Sequence, residues 1–398
     1  MNVTLGLAVI AGALMLALVL ETLAHRRNLR QLRIRVHVNG TRGKSSVTRL
    51  IAAGLREHGL ITCAKTTGTL PRMILPDARE LPIFRVAAPN IIEQRRIVAA
   101  AAAQRAEALV IECMALQPAL QALCELKLIR ATHGVITNAR PDHLDVMGPT
   151  EQHVAEALAG TVPVAGHVYT AEQQHLGILR QAAVDRNSTL IAIGPEAIAS
   201  VSPEELARFS YTEHADNVAL ALRVCMDLGV RRDVALRGMW NCAPDPGALT
   251  TYHVDFFGRR LVFMNAFAAN DPVSTEQLWK LAVTANPQAE TRIAVFNCRS
   301  DRPERSVSLG AAFARWAAAD YVVLMGSGTH TFARAANRSG VDFSRFVFVE
   351  GLPVAEIFER ILSLIQKEAM IVGMGNIGGD GLPLVRYFAN RASLTTTH

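Results

Sequence analysis

The sequence predicts an α/β protein in three parts: an apolar N-terminal helix, a central domain on a mostly parallel sheet, and a smaller C-terminal α/β domain. Three observations carry this. Val3 to Leu20 is an almost unbroken apolar run. Beyond it, short apolar segments of strand length alternate with helix-length segments, the pattern of a parallel sheet covered on both faces. Pro244-Asp245-Pro246-Gly247 then interrupts the alternation before it restarts. At 398 residues, half of them hydrophobic and 19% charged, the chain can bury two cores.

The first part, residues 1–24, reads as a transmembrane anchor of just sufficient length. No basic residue precedes it and no A-x-A site follows, which argues against a cleaved signal peptide. Residues 25–32 form a basic juxtamembrane segment with His25, Arg26, Arg27 and Arg30, and Arg33 and Arg35 follow. The positive-inside rule keeps that side, and the body of the chain, cytoplasmic. The competing reading is a buried N-terminal helix.

The central domain, 33–243, opens with a strand over Arg33–Val38 and a helix over Lys44–His58. A helix over Asn90–Arg105, a strand over Ala108–Ile111, a helix over Pro118–Leu126 and a strand over Gly134–Thr137 follow. Strands are expected at His167–Thr170 and Leu190–Ile193, and a helix at Ala215–Leu228. In the C-terminal domain, 248–392, Thr251–Phe256 and Arg260–Met264 read as a hairpin turning at Gly258. Strands at Ile293–Phe296, Tyr321–Met325, Phe346–Phe348 and Ala369–Gly373 alternate there with helices at Ser308–Ala319 and Val354–Gln366. Residues 393–398 read as a polar, disordered tail. The net charge of +6 comes from arginine, with only five lysines. No basic run interleaved with aromatics is present, so nucleic acid is not an expected partner. Six scattered cysteines without a C-x-x-C fit reduced thiols.

The chemistry concentrates after the first strand. Gly40-Thr41-Arg42-Gly43-Lys44-Ser45 sits between strand and helix, the setting of a phosphate-binding P-loop, in a short G-x-x-G-K-[ST] form. Backbone amides and the helix N-terminus face phosphate there. Asn39, Gly40, Thr41, Arg42, Gly43, Lys44, Ser45 and Ser46 are the candidate nucleotide-binding residues. Lys44 can neutralise β/γ-phosphate charge and the Ser45 hydroxyl can bind Mg²⁺. Glu112, directly after an apolar strand, can reach the same metal. Asp142, His143 and Asp145 crowd the end of another strand, and His143 is a candidate ligand or positioning group. Thr66-Thr67-Gly68-Thr69 either supplies hydroxyls, Thr67 first, to metal or phosphate, or is an ordinary turn.

V-x-G-T-x-G-K-S, the glutamate after the next apolar strand and I-T-N-x-x-x-D-H-L-D resemble the Mur ligase superfamily in order and spacing. His214-Ala215-Asp216-Asn217 resembles that family's adenine-side helix, which implies Asn217 against the base. Ser300-Asp301-Arg302 resembles its D-R motif, which implies Asp301 and Arg302 at the nucleotide. These features span about residues 33 to 305. The strings K-T-T-G-T-x-P-R, E-C-M-A-L-Q-P, P-D-P-G-A-L, N-D-P-x-S-T and N-x-R-x-D-R-x-x-R-S resemble one branch over nearly the whole chain. That branch is the ligase subunit of poly-γ-glutamate synthase, the PgsB or CapB type. The departures agree with it. No lysine lies between Lys127 and Lys280 to serve as a carbamoylated residue, and the apolar run stands where other members carry a UDP-sugar domain.

The resemblance implies an ADP-forming acid–amino-acid ligase that uses ATP and Mg²⁺ to join glutamate through its γ-carboxyl by way of an acyl phosphate. Lys44, Glu112, His143 and Arg302 are the expected catalytic residues. Ser45, Thr67, Glu112 and His143 are the expected metal set. Arg72, Asn138, Arg140 and Arg305 are candidate contacts to substrate carboxylates or phosphoryl oxygens. Expected partners are glutamate and the growing polymer, the membrane, small integral-membrane synthase subunits and a further copy of the chain. The rival readings are another Mur-type ligase, such as a folylpolyglutamate synthase, and a membrane-tethered P-loop switch. Gly373-Met374-Gly375-Asn376-Ile377-Gly378 satisfies a dinucleotide pattern but lacks the acidic residue that should follow. It is either a ligand-facing loop or a turn requiring positive φ.

Overall fold

Alternation of buried strands and amphipathic helices produces two sheets, one in each of two compact units. A computed structural model describes residues 3–68, 70–85, 89–245, 247–269 and 271–392. The units are Met1–Phe209 with Glu213–Asp245, and Ser210–Thr212 with Pro246–His398. Thr69, Pro246, Asn270 and the expected tail lie outside the described residues.

In the first unit β1 (Ile34–Asn39), β2 (Thr62–Thr66), β3 (Arg72–Ile74), β4 (Glu80–Pro82), β5 (Ala108–Glu112), β6 (His133–Ile136), β7 (His167–Thr170) and β8 (Thr189–Ala192) form one sheet. Their order is β4-β3-β2-β5-β1-β6-β7-β8. The six strands from β2 to β8 are mutually parallel, and β3 and β4 extend the edge antiparallel. The chain leaves β1 toward one side and returns on the other, so the carboxyl end of β1 is a topological switch point, where such sheets bind ligands. The β3–β4 edge was not legible from periodicity. Each strand has only three residues, too few to show a period of two.

The apolar and basic N-terminal segments form one helix, α1 (Val3–Gln31). Leu14, Met15 and Leu18 on it are exposed, whereas Leu29 and Leu32 near its end are buried in the core with Leu109 and Ile111. From Val9 onward α1 is long and apolar enough to cross a membrane. The P-loop helix is α2 (Lys44–Glu57), with Val47, Leu50, Ile51 and Leu55 buried. The expected helix at Pro118 is α-helical only to Leu123 and continues as a π-turn over Cys124–Ile129. All six cysteines are buried and unpaired.

The second unit carries β9 (Thr250–Phe256), β10 (Arg259–Asn265), β11 (Thr291–Cys298), β12 (Tyr321–Gly326), β13 (Phe346–Phe348) and β14 (Glu368–Met374), ordered β13-β12-β11-β14-β10-β9. Only β9 is antiparallel, joined to β10 by a two-residue turn with Phe257 and Gly258 both at positive φ. Apolar clusters cover both faces, one around Trp279, Phe296 and Phe313, the other around Phe263, Phe358 and Phe388. The helix expected at Ser308–Ala319 starts earlier, at Pro303. Proline at a first helical turn has a preset φ and no N–H to waste.

Candidate active site

The carboxyl ends of β1, β5 and β6 bring the central candidates together. Gly40 has φ 131° and Gly43 has φ 80°, conformations that glycine adopts without strain. A Cβ on Gly40 would lie 2.0 Å from Thr137 Oγ1, and one on Gly43 would lie 2.4 Å from Asn217 Oδ1. Both glycines are therefore fixed by close approach as well as by dihedral angle.

The loop is held largely by its neighbours. Thr41 Oγ1 donates to Asn138 Oδ1 at 2.7 Å, and the Arg42 amide donates to the same oxygen at 3.1 Å. Thr137 Oγ1 and Asn138 Nδ2 donate to the Arg42 carbonyl at 2.6 and 3.2 Å. Asn138, a candidate substrate contact, thus clamps the loop through its side-chain amide. Asn39, a candidate nucleotide-binding residue, is engaged in the same way. Its side chain is buried and donates to Gln121 and Thr161 at 2.8 and 3.2 Å, so it anchors the end of β1 beneath the loop. The Lys44 ammonium donates to the Gly40 and Thr41 carbonyls at 2.6 and 3.2 Å, and Ser46 lies on the first turn of α2.

Ser45 Oγ donates to Glu112 Oε2 at 2.9 Å, and the Thr67 amide donates to the same oxygen at 2.7 Å. Glu112 is buried. Burial raises its carboxyl pKa, opposed by Lys44, the Thr67 amide and Lys65. A buried carboxylate beside a hydroxyl is an oxygen donor pair suited to a hard divalent cation, so the residues present fit Mg²⁺. Thr67 enters this arrangement through its backbone; its hydroxyl accepts from Arg85 at 3.2 Å. His143 does not join the pair by any described bond. It caps a short helix with φ 46°, and its Nε2 lies 3.9 Å from Asp142. Among the described residues no group of three His, Cys, Asp or Glu side chains is gathered for a metal.

Arg140 is exposed, and its amide donates to Thr41 Oγ1 at 3.0 Å. Arg72 stands opposite Thr66 on β3, with its Nε buried and without a partner. Asn217 donates to Glu213 at 2.9 Å from the first turn of the helix Ala215–Asp227. Lys65 was missed. It is fully buried, pairs with Glu93 at 3.0 Å, and burial lowers its pKa. Its signal was available, because it is the only lysine besides Lys44 before Lys127.

In the second unit Asp301 takes a bidentate bond from Arg299, at 2.9 and 2.6 Å, which holds its carboxyl below the usual range. Arg302 caps the helix Pro303–Phe313. Arg305 donates to Asn376. Asn376 and Asn297 bond reciprocally: Asn297 Nδ2 donates to the Asn376 carbonyl at 2.6 Å and Asn376 Nδ2 to the Asn297 carbonyl at 3.0 Å. Gly375 and Gly379 in this loop have φ of 99° and 72°. Gly373 and Met374 of the glycine-rich string end β14, and the residues after them form a hydrogen-bonded turn.

A strand–loop–helix phosphate cradle with a buried carboxylate on the neighbouring strand, in a switch-point sheet, defines a Mur-type ATP-dependent ligase. The Mur ligase middle domain matches residues 38–222, and the poly-gamma-glutamate synthase CapB C-terminal domain matches residues 251–391. The capsule biosynthesis protein CapB of Bacillus anthracis is 38% identical over 92% of this chain and 78% of its own length. The PGA synthase CapB of Bacillus subtilis (strain 168) is 36% identical over 95% of this chain and 96% of its own. The chain therefore belongs to the CapB family of ligases. The fold is also that of a bifunctional folylpolyglutamate synthase/dihydrofolate synthase from Yersinia pestis, solved with AMPPNP and a manganese ion. The TM-score is 0.65 at 14% identity, over 93% of this chain and 92% of that one.

Proposed function

We propose that this chain polymerises glutamate through its γ-carboxyl, using ATP and releasing ADP and phosphate. The observation that carries the reading is the Ser45–Glu112 pair behind a P-loop, in a chain akin to a PGA synthase over almost its whole length. A glutamate γ-carboxylate oxygen attacks the γ-phosphorus of ATP, the bond to the ADP oxygen breaks, and an acyl phosphate forms. The amine nitrogen of the next glutamate then attacks the acyl carbon, losing a proton as phosphate leaves.

Two anions must meet in the first step, so charge neutralisation is the main demand on the protein. Lys44 exchanges its loop carbonyls for phosphate oxygens, and the loop amides and α2 N-terminus face the same group. Ser45 and Glu112 would hold Mg²⁺, which supplies further neutralisation when bound. His143 is proposed to orient this site from its flank. Arg72, with its unpartnered Nε, and Arg140 are the proposed carboxylate contacts. Asn217 is proposed beside the adenine, and in the second unit Arg302, with Asp301 and Arg305, is the proposed nucleotide and phosphoryl contact. Helix α1 is proposed to anchor the chain in the bacterial inner membrane, where small synthase subunits assemble with it.

Glutamate-dependent ADP release, with hydroxylamine trapping a glutamyl hydroxamate, tests the reading. AMP formation rejects the mechanism, and stimulation by folate instead of glutamate moves the chain to a folylpolyglutamate branch. Deleting Met1–Ala24 tests the anchor, and the truncated chain is expected in the soluble fraction.

A further inference from the structure

The first sheet has a cleft at its other end. A cleft of ≈ 850 Å³ opens beside the amino ends of β1, β6 and β7, where Arg35, His133 and His167 stand at or near the first residues of their strands. That volume lies within the range of ligand-binding pockets, about 300–1,000 Å³. The six residues of β1 separate it from the P-loop by about 20 Å at roughly 3.3 Å per residue. It is therefore not part of the nucleotide site.

Its charge is one-sided. Arg26 and Arg30 reach it from α1, one helical turn apart, with Arg35 and Arg130 beside them. The one carboxylate lining it, Glu125, is committed elsewhere: Oε2 bonds His37 Nδ1 at 2.8 Å and Oε1 accepts the Ala131 amide at 2.7 Å. Among the described residues no ion pair engages any of the four arginines. Arg35 spends its guanidinium on carbonyls, donating to Arg130 at 2.9 Å, Leu29 at 3.0 Å and Leu32 at 2.6 Å. That fixes a partly buried cation at the base of the cleft. Among the described residues Arg26, Arg30 and Arg130 make no such bonds, and all three are exposed. Leu126 and Val164, 40% and 57% exposed, border the same cleft.

We propose that this cleft binds the phosphate headgroup of an anionic phospholipid. Arginine forks match phosphate oxygens, and basic pockets beside a membrane helix on its cytoplasmic side take such headgroups. Exposed leucine and valine at the border suit an acyl-bearing ligand better than free phosphate. The position agrees, because Arg26 and Arg30 follow directly on the apolar stretch of α1. This part rests on the reading of α1 as a membrane anchor.

The test uses the full chain in nonionic detergent, titrated with short-chain phosphatidylglycerol and followed by native mass spectrometry or calorimetry. Phosphatidylglycerol is expected to bind at least tenfold more tightly than phosphatidylcholine. At about fivefold per juxtamembrane arginine, Arg30→Gln with Arg130→Gln should weaken it about 25-fold while leaving ATP turnover and melting unchanged. Equal binding of the two lipids, or a double variant that binds like wild type, overturns the proposal. Inorganic phosphate binding as tightly as the lipid would assign a free-anion site instead. Displacement of the lipid by poly-γ-glutamate would assign a product path and equally overturn it. Sedimentation of the chain with phosphatidylcholine vesicles, which the cleft is expected to bind at least tenfold more weakly, reports on the anchor, so its failure is distinguishable from failure of the cleft.

Discussion

The two ends of the first sheet solve opposite problems. At the carboxyl end nearly every polar group is engaged: Asn138 clamps the loop, Lys44 caps its carbonyls, and Glu112 accepts from Ser45 and Thr67. At the amino end three exposed arginines line an open cleft with no counter-charge of their own. On the proposed assignments, positive charge alone does not mark a nucleotide site. The P-loop end has Lys44 and the buried, paired Lys65 and depends on preorganised backbone; the basic end has more exposed charge but no cradle.

The largest effect should come from breaking the cradle's single ammonium. Lys44→Ala is expected to lower ATP turnover by at least about a hundred- to thousandfold, the cost of removing a preorganised charge-stabilising group. The fold should persist, because Lys44 bonds only loop carbonyls. Near-normal ADP production by the folded variant would remove the assignment. Glu112→Gln should cost about a hundredfold or more in turnover without lowering the melting temperature of the nucleotide-free chain. Burial holds the folded pKa of Glu112 above the ordinary glutamate value of 4.5, so ionised Glu112 is a burden that grows as pH rises through the folded value. A neutral amide relieves it and still accepts from Thr67 and Ser45. A marked loss of stability would show that the ionised carboxylate is structural and not held ready for a cation.

Asn138→Ala sharpens the comparison from the other side. It removes one acceptor and one donor from a loop that should be preformed. Nucleotide affinity is expected to fall about tenfold, from hydrogen bonds worth about 1 kcal/mol each, measured by ADP binding. Unchanged affinity would mean that the nucleotide itself organises the loop.

Much of this was legible in residue order, because a parallel sheet puts strand ends together without reference to packing. Glu112 beside Ser45 follows from two apolar strands and a switch point. What stayed hidden depended on side-chain direction. Asn39 and Asn138 sit in the motif yet turn to the scaffold, since amides pair equally well with protein or ligand. Thr67 serves through its backbone, which no residue type announces. Asp301 is gripped by Arg299, two residues away, a local choice that spacing leaves open. The basic cleft was half visible: Arg26, Arg30 and Arg35 read as a juxtamembrane cluster, but Arg130 joins them only through the pairing of β1 with β6.

The smallest effect expected on turnover lies inside β1, between the two ends, where the change is one of stability. His37 is buried against Glu125, Nδ1 to Oε2 at 2.8 Å. Burial pulls its pKa down, but Cys113 and Glu125 outweigh that and raise it from 6.5 to about 9. A raised folded pKa means the charged pair contributes its full stability below pH 6.5 and loses it as pH rises through about 9. Chemical denaturation of the nucleotide-free chain should therefore show stability falling across that window, by at most about 1.4 kcal/mol per pH unit. His37→Asn should be less stable at the acidic side and nearly flat in pH. An equally steep fall in that variant would place the titration elsewhere.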